Sequence, residues 1–174
     1  TACRGEEGAF CRDHNAGPAI FESEQEQGDV AILAPALEAE RALGAEYVGF
    51  DELLARSDVL SINAPLNAAT RGLFNYDTIK RMKPGAYLVN TGRGPIIVEE
   101  DLARALYQSV AQGAALDVYE HEPQVHPGLL ELDNVILCPH LGSATEETRA
   151  AMATLVAQNV IAFLEGKEPP NRLV

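Results

Sequence analysis

From residue 29 onward, short apolar runs alternate with stretches of helical spacing. Val30-Ala31-Ile32-Leu33 reads as a buried strand, and Leu37–Leu43 as a short helix stopped by Gly44. Tyr47-Val48-Gly49-Phe50 reads as a short strand, after which Asp51 caps Glu52–Arg56. Val59-Leu60-Ser61-Ile62-Asn63 is the next strand, ended at Pro65. A helix is expected over Tyr76–Met82, then a strand over Ala86–Asn90. Val98, Leu102, Ala105 and Leu106 fall on one helical face, and strands over 112–116 and 134–138 follow. The last helix has the clearest pattern. Ser143-Ala144-Thr145-Glu146 has the spacing of a capping box, Met152, Leu155, Val156, Val160, Phe163 and Leu164 line one face, and Gly166 is a fitting stop. Strands that alternate with helices imply an α/β fold with a doubly wound parallel sheet.

Residues 1–28 break this alternation. They are rich in charged and small residues, and the part from Phe21 to Gly28 reads as a solvated helix or linker. This segment is left as an unassigned arm or a non-homologous segment, poorly folded or irregularly packed, with residues 29–174 as the α/β unit. A chain of 174 residues suits one domain with a sizeable core. No apolar run approaches the roughly 20 residues that span a bilayer, and the opening Thr1-Ala2-Cys3-Arg4-Gly5-Glu6-Glu7 lacks a signal-peptide pattern. The net charge of -13 argues against nucleic acid or an anionic membrane as partner. Cys3, Cys11 and Cys138 are odd in number and lack metal-site spacing, so neither a disulfide framework nor a zinc site is expected, and a reducing cytoplasm is the simplest home. Cys138 reads as a small buried hydrophobe.

Charged residues cluster where three expected strands end. Val89-Asn90 runs into Thr91-Gly92-Arg93-Gly94-Pro95, Leu116 into Asp117-Val118-Tyr119-Glu120-His121-Glu122-Pro123, and Cys138 into Pro139-His140-Leu141-Gly142-Ser143. The carboxyl edge of an open parallel sheet is where ligands bind. Taken singly, Arg93 would be a surface or salt-bridging arginine and His140 a structural histidine. Their shared placement is what suggests an active site.

These ordered motifs, with Met82-Lys83-Pro84-Gly85-Ala86 ahead of them, resemble the D-isomer-specific 2-hydroxyacid dehydrogenases, above all the glyoxylate/hydroxypyruvate reductase and glycerate dehydrogenase branch. The resemblance runs from about Glu38 to Val174. It implies a Rossmann-like nucleotide-binding domain, NAD or NADP as cofactor, a small 2-oxoacid or 2-hydroxyacid as substrate, and a homodimer. The family's arginine, glutamate and histidine match Arg93, Glu122 and His140. A guanidinium can bind the substrate carboxylate and polarise the neighbouring ketone. An imidazole can supply the proton that follows hydride transfer, and a carboxylate beside it would favour the imidazolium. Glu122, just before Pro123, is assigned this role and Glu120 is expected to be exposed; His121 and His126 are expected to face solvent. By the same resemblance, Asp117 accepts from the nicotinamide carboxamide, Asn63-Ala64-Pro65 lies along the adenosine side, and the backbone around Thr91, Gly92 and Gly142 approaches the nicotinamide end, where missing side chains permit close contact.

The pattern departs from the family in two places. The G-x-G-x-x-G phosphate loop has no complete copy: Cys3-Arg4-Gly5-Glu6-Glu7-Gly8 keeps only the last two glycines, places two acids where phosphate would sit, and reads as chance. No acid follows strand 30–33 to hold a ribose, so the pattern selects neither NAD nor NADP. A substrate domain has no counterpart in the chain, which is therefore expected to be part of a nucleotide-binding domain, apparently incomplete at its N-terminus. A non-catalytic dinucleotide-sensing or protein-binding module of the same fold is the first rival reading. A relative acting on formate or phosphite is the second, with Glu122 disfavouring formate.

Overall fold

The computed structural model describes residues 9–13, 17–21 and 46–172. Its central feature is a run of four parallel strands: β4 (Val59–Ile62), β5 (Tyr87–Asn90), β6 (Gly113–Leu116) and β7 (Val135–Leu137). Three further strands extend the sheet beyond β4: β1 (Ala9–Asp13), β2 (Gly17–Phe21) and β3 (Glu46–Tyr47), in the order β3-β2-β1-β4-β5-β6-β7. β1 runs antiparallel to both β2 and β4, with Ala9 opposite Phe21 on one side and Ile62 on the other.

This hairpin lies within residues 1–28, the segment whose sequence shows no regular pattern. Two five-residue strands are too short to show a period. Pairing along both edges of β1 is a tertiary event that satisfies the backbone whatever the side chains are. The strand expected at 30–33, the helix at 37–43 and the Cys3–Gly8 segment lie outside the described residues. The parallel part bears out the expected Rossmann-like α/β class, while the hairpin makes the whole sheet mixed.

The register explains the core. Leu60, Leu88 and Ala114 lie side by side across β4, β5 and β6, as do Ile62, Asn90 and Leu116, and all six are buried. The five apolar ones share one core with Leu53 and Leu54 of α1 (Phe50–Arg56), Ile79 of α2 (Tyr76–Lys80), Leu102, Ala105 and Leu106 of α3 (Glu99–Tyr107), and Leu129 of α4 (Pro127–Leu130). Each large side chain buried this way contributes about 1.5–3 kcal/mol. The alternate strand positions are more open; Val59 and Tyr87 are exposed.

Helix boundaries follow local chemistry. Asn75 caps α2 by accepting from the Thr78 N–H at 3.1 Å. Asp101 accepts from the Tyr76 N–H, and the Arg104 guanidinium sits 4.0 Å over the Tyr76 ring, so α2 and α3 are tied together. Phe50, expected in a strand, instead opens α1, where its ring meets Phe74 edge-on, and Gly49 rather than Asp51 holds the cap position. Cys138 is partly rather than fully buried.

Residues 140–174 form a second compact unit. Within it α5 (Glu146–Leu164) is capped by Thr145, which accepts from the Thr148 N–H, rather than by Ser143. It ends as expected at Gly166, where φ is +71°. The N–H of Gly166 donates to Phe163 and that of Lys167 to Ala162, the paired bonds of a glycine-terminated helix. No residue of α5 is buried, and Met152, Val156, Phe163 and Leu164 stand exposed.

Candidate active site

The loops at the carboxyl ends of β4, β5 and β6 are built on one another. At the end of β5, Asn90 is fully buried yet polar, and both ends of its amide are used. Its Oδ1 accepts from the Gly92 N–H at 3.0 Å, and its Nδ2 donates to the Arg93 carbonyl at 3.1 Å. The side chain thus folds Thr91-Gly92-Arg93 into a fixed turn. Its backbone carbonyl accepts from the Asp117 N–H at 3.0 Å, which sets the start of the loop after β6.

Arg93 is exposed, with extended backbone, and its Nη1 donates to the Gly92 carbonyl at 2.8 Å. Thr91 donates its hydroxyl to Asn63 Oδ1 at 2.9 Å, and Asn63 Nδ2 donates to Ser61 Oγ at 3.2 Å. Asn63, Ala64 and Pro65 therefore adjoin Thr91 and Gly92. A Cβ on Gly92 would meet the carbonyls of Ala64 and Ile62 at 3.1 and 3.3 Å, so the room left by its missing side chain faces the β4 loop. The loop beyond Pro65 is held by Thr70, whose buried hydroxyl donates to the Pro65 carbonyl at 2.6 Å.

Two glycines of the Arg93 motif thus have different partners, because Gly94 packs on the β6 loop. A Cβ there would lie 1.9 Å from the carbonyl carbon and oxygen of Tyr119 and 2.6 Å from the Glu120 nitrogen. No side chain fits, and the backbone beside Arg93 lies directly on the peptide two residues ahead of Glu122.

That β6 loop is pinned from several sides. The Tyr119 phenol is buried and donates to the Cys138 carbonyl at 2.7 Å. Burial is the main reason its pKa lies above the usual 10.0, with the Cys138 thiol and the Asp117, Glu99 and Glu122 carboxylates adding to it. The Tyr119 N–H donates to Glu122 Oε1 at 3.2 Å, and Glu122 is exposed. Glu120, expected to be exposed, is half-buried: its Oε2 accepts from the Glu99 N–H at 2.7 Å. Glu99 in turn is buried, and its two carboxylate oxygens accept from the N–H groups of Glu120 (2.5 Å) and His126 (2.9 Å). His121 is exposed as expected, while His126 is partly buried and accepts at Nδ1 from the Gly128 N–H.

The structure therefore brings together Asn63, Ala64, Pro65, Thr91, Gly92 and Arg93, and joins that group through Asn90 and Gly94 to Asp117 and the Glu122 loop. His140 and Gly142 belong to the second unit. His140 is exposed there and adopts φ +56°, one of two non-glycine residues with positive φ among the described residues. A left-handed backbone at a histidine is uncommon and is met where a position is over-determined by its surroundings.

A parallel sheet with polar, hydrogen-bonded loops at its carboxyl edge is a nucleotide-binding α/β architecture of the Rossmann class. Residues 27–142 match the model of the D-isomer specific 2-hydroxyacid dehydrogenase NAD binding domain, and the chain belongs to that family. It is 48% identical over 134 residues to a glyoxylate reductase of Thermococcus litoralis, a match covering 77% of this chain and 40% of that protein. It superposes on the crystal structure of a glyoxylate reductase from Paecilomyes thermophila with a TM-score of 0.73 and 45% identity, covering 79% of this chain and 41% of the other. A NADPH-dependent glyoxylate/hydroxypyruvate reductase from Sinorhizobium meliloti, crystallised with NADP and malonate, gives a TM-score of 0.67 at 37% identity, covering 70% and 39%. The chain thus spans about two fifths of the length of these relatives.

Proposed function

We propose that this chain carries the catalytic and nicotinamide-side residues of an oxidoreductase that transfers a hydride between NAD(P)H and a small 2-oxoacid of the glyoxylate or hydroxypyruvate type. The observation that carries this reading is the interlocked carboxyl edge, where Asn90 and Gly94 fix the Arg93 turn against the loop of Asp117 and Glu122. The residues present suit the nicotinamide half of a dinucleotide. Asn63, Thr91 and Asp117 offer polar groups at the ends of three adjacent parallel strands, along a half-open edge.

When bound, the nicotinamide supplies or accepts the hydride. Arg93, exposed and with its backbone fixed, binds the substrate carboxylate and draws charge from the ketone oxygen. His140 delivers the proton to that oxygen on reduction and takes it back on oxidation, with Glu122 as its assigned carboxylate partner. Residues 29–174 act as part of the nucleotide-binding domain. Assembly is as a homodimer, to which the exposed apolar row of α5 contributes, and the compartment is the cytoplasm. Among the described residues no helix is long and apolar enough to cross a membrane.

The test is titration of the purified chain with NADH and NADPH by fluorescence, then turnover with glyoxylate and hydroxypyruvate. Saturable binding by the chain is expected, and turnover where a substrate domain completes the site. In the active protein, Arg93→Ala raises the substrate KM far more than the cofactor Kd, and His140→Ala lowers the hydride-transfer rate by about 10²–10⁴ with cofactor binding nearly intact. Glu122→Gln shifts the pH profile. Binding without turnover would favour a dinucleotide-sensing module, and equal loss of cofactor binding in the Arg93 and His140 variants would sink the assigned roles.

A further inference from the structure

We infer that Glu99 is a positioning residue, whose buried carboxylate clamps the loop after β6 and so sets where Glu122 stands relative to Arg93. The sequence offers no hint of this. Glu99 opens α3 among Glu100 and Asp101, where three acids look like ordinary partners of a helix N-terminus. The structure separates them. Glu100 is exposed, whereas Glu99 is 4% exposed and points into the β6 loop.

A carboxylate is buried at this level only when its oxygens are satisfied. Here each oxygen has its own backbone donor: Glu120 N–H on Oε1 and His126 N–H on Oε2. These two amides bracket Glu122. The reciprocal bond, Glu99 N–H to Glu120 Oε2, closes a ring and caps the start of α3, where Val98 has no side-chain acceptor.

The clamp reaches both assigned residues. On the Glu122 side, the Tyr119–Glu120 peptide is the unit that Glu99 holds. Its neighbouring N–H, that of Tyr119, is the donor to Glu122 Oε1. On the Arg93 side, Gly94 lies against the same peptide, and the short 3-10 turn Gly94–Ile96 leads from Arg93 into Glu99 within six residues. One carboxylate thus ties the end of the Arg93 segment to both flanks of the Glu122 loop. The catalytic part of this inference rests on the dehydrogenase reading. The clamp itself does not.

Glu99→Gln is the informative change. It is nearly isosteric, but one accepting oxygen becomes an NH2 group facing an N–H donor, so only one of the two amides can stay bonded. Glu120→Gln is the control. It removes the same charge from the same cluster, keeps an acceptor for the Glu99 N–H, and leaves the Glu99 carboxylate intact. Amide hydrogen exchange by NMR is measured on the chain and both variants. Glu99→Gln should raise exchange at Glu120 or His126 at least tenfold more than at Leu88 and Ala114 in the sheet, and Glu120→Gln should not. In the wild type the Tyr119 amide resonance should follow ionisation of the Glu122 carboxylate, and Glu99→Gln should weaken that response.

Unchanged exchange at both amides would overturn the clamp. Lost protection with an unchanged Tyr119 response would overturn the positioning of Glu122. If Glu99→Gln is too unstable to study, Glu99→Asp, which keeps the carboxylate but shortens its reach by one methylene, is read the same way. Where turnover is measurable, Glu99→Gln should lower kcat about tenfold and displace the pH profile as Glu122→Gln does, with dinucleotide Kd unchanged. Absence of turnover in the wild type would count against the dehydrogenase reading of this chain, while the exchange and Tyr119 readouts would still decide the clamp.

Discussion

Placing a methyl group on Gly94 tests whether the Arg93 turn truly rests on the Glu122 loop. The added Cβ would stand 1.9 Å from Tyr119 C and O and 2.6 Å from Glu120 N, whereas ordinary contact begins at 3.4 Å. The obstructing atoms are backbone, so no rotamer change relieves the clash, and one loop must retreat by about 1.5 Å. Overpacking of this kind costs about 1–3 kcal/mol, and the upper end applies because the retreat also strains the Glu99 clamp. Against a domain stability of about 5–15 kcal/mol that is a large loss. With a urea slope of about 2 kcal/mol per molar it lowers the unfolding midpoint by roughly 1.5 M. The assay is urea unfolding of Gly94→Ala beside Gly49→Ala. Gly49 has open space where the Cβ would go and loses at most about 1 kcal/mol of capping preference. In an active protein, separation of Arg93 from Glu122 by about 1 Å should also cost on the order of 10²-fold in turnover. A Gly94→Ala midpoint no lower than that of Gly49→Ala would refute the contact, and with it the account of how the two loops are coupled.

Other consequences are as direct. Asn90→Leu keeps the branching of the side chain but orphans the Gly92 N–H and the Arg93 carbonyl; a loss of about 1–3 kcal/mol is expected by thermal melting, and a neutral result would mean that the turn does not need the amide. Tyr119 should ionise above the usual tyrosine value in a spectrophotometric titration, and Tyr119→Phe should remove that late phase. Because its folded pKa is raised, the neutral phenol stabilises the fold fully below the unfolded value near 10. That contribution fades as the pH rises through the folded value, so wild type and Tyr119→Phe should converge in stability in strong alkali; a constant difference would contradict this.

Much of the fold was legible because its signals are local. The runs at 59–63, 86–90, 112–116 and 134–138 became β4 to β7 with no end shifted by more than a residue, since a buried strand shows as a short apolar run bounded by turn residues. Gly166 stopped α5 where a left-handed residue was required. The hairpin of β1 and β2 was not legible, because its stability comes from pairing with β4, far along the chain. Phe50 was misplaced for a related reason: a four-residue apolar run does not distinguish a strand from the first turn of a helix, and its contact with Phe74 decides.

The sequence by itself determined the alternation of strands and helices, the resemblance to a dehydrogenase family, and the residue types gathered at strand ends. Those properties reside in composition, period and motif, which are written along the chain. The tertiary structure decided what the same residues do to one another. Glu99, Glu100, Glu120 and Glu122 are one letter in the sequence, yet one is a buried clamp, one is solvated, one caps a helix and one stands exposed beside the Tyr119 amide. Gly92 and Gly94 flank Arg93 alike, but one makes room for the β4 loop and the other for the β6 loop. A carboxylate's role depends on which donors surround it, and a glycine's on which backbone crosses it. Both are set by elements brought together only when the sheet forms.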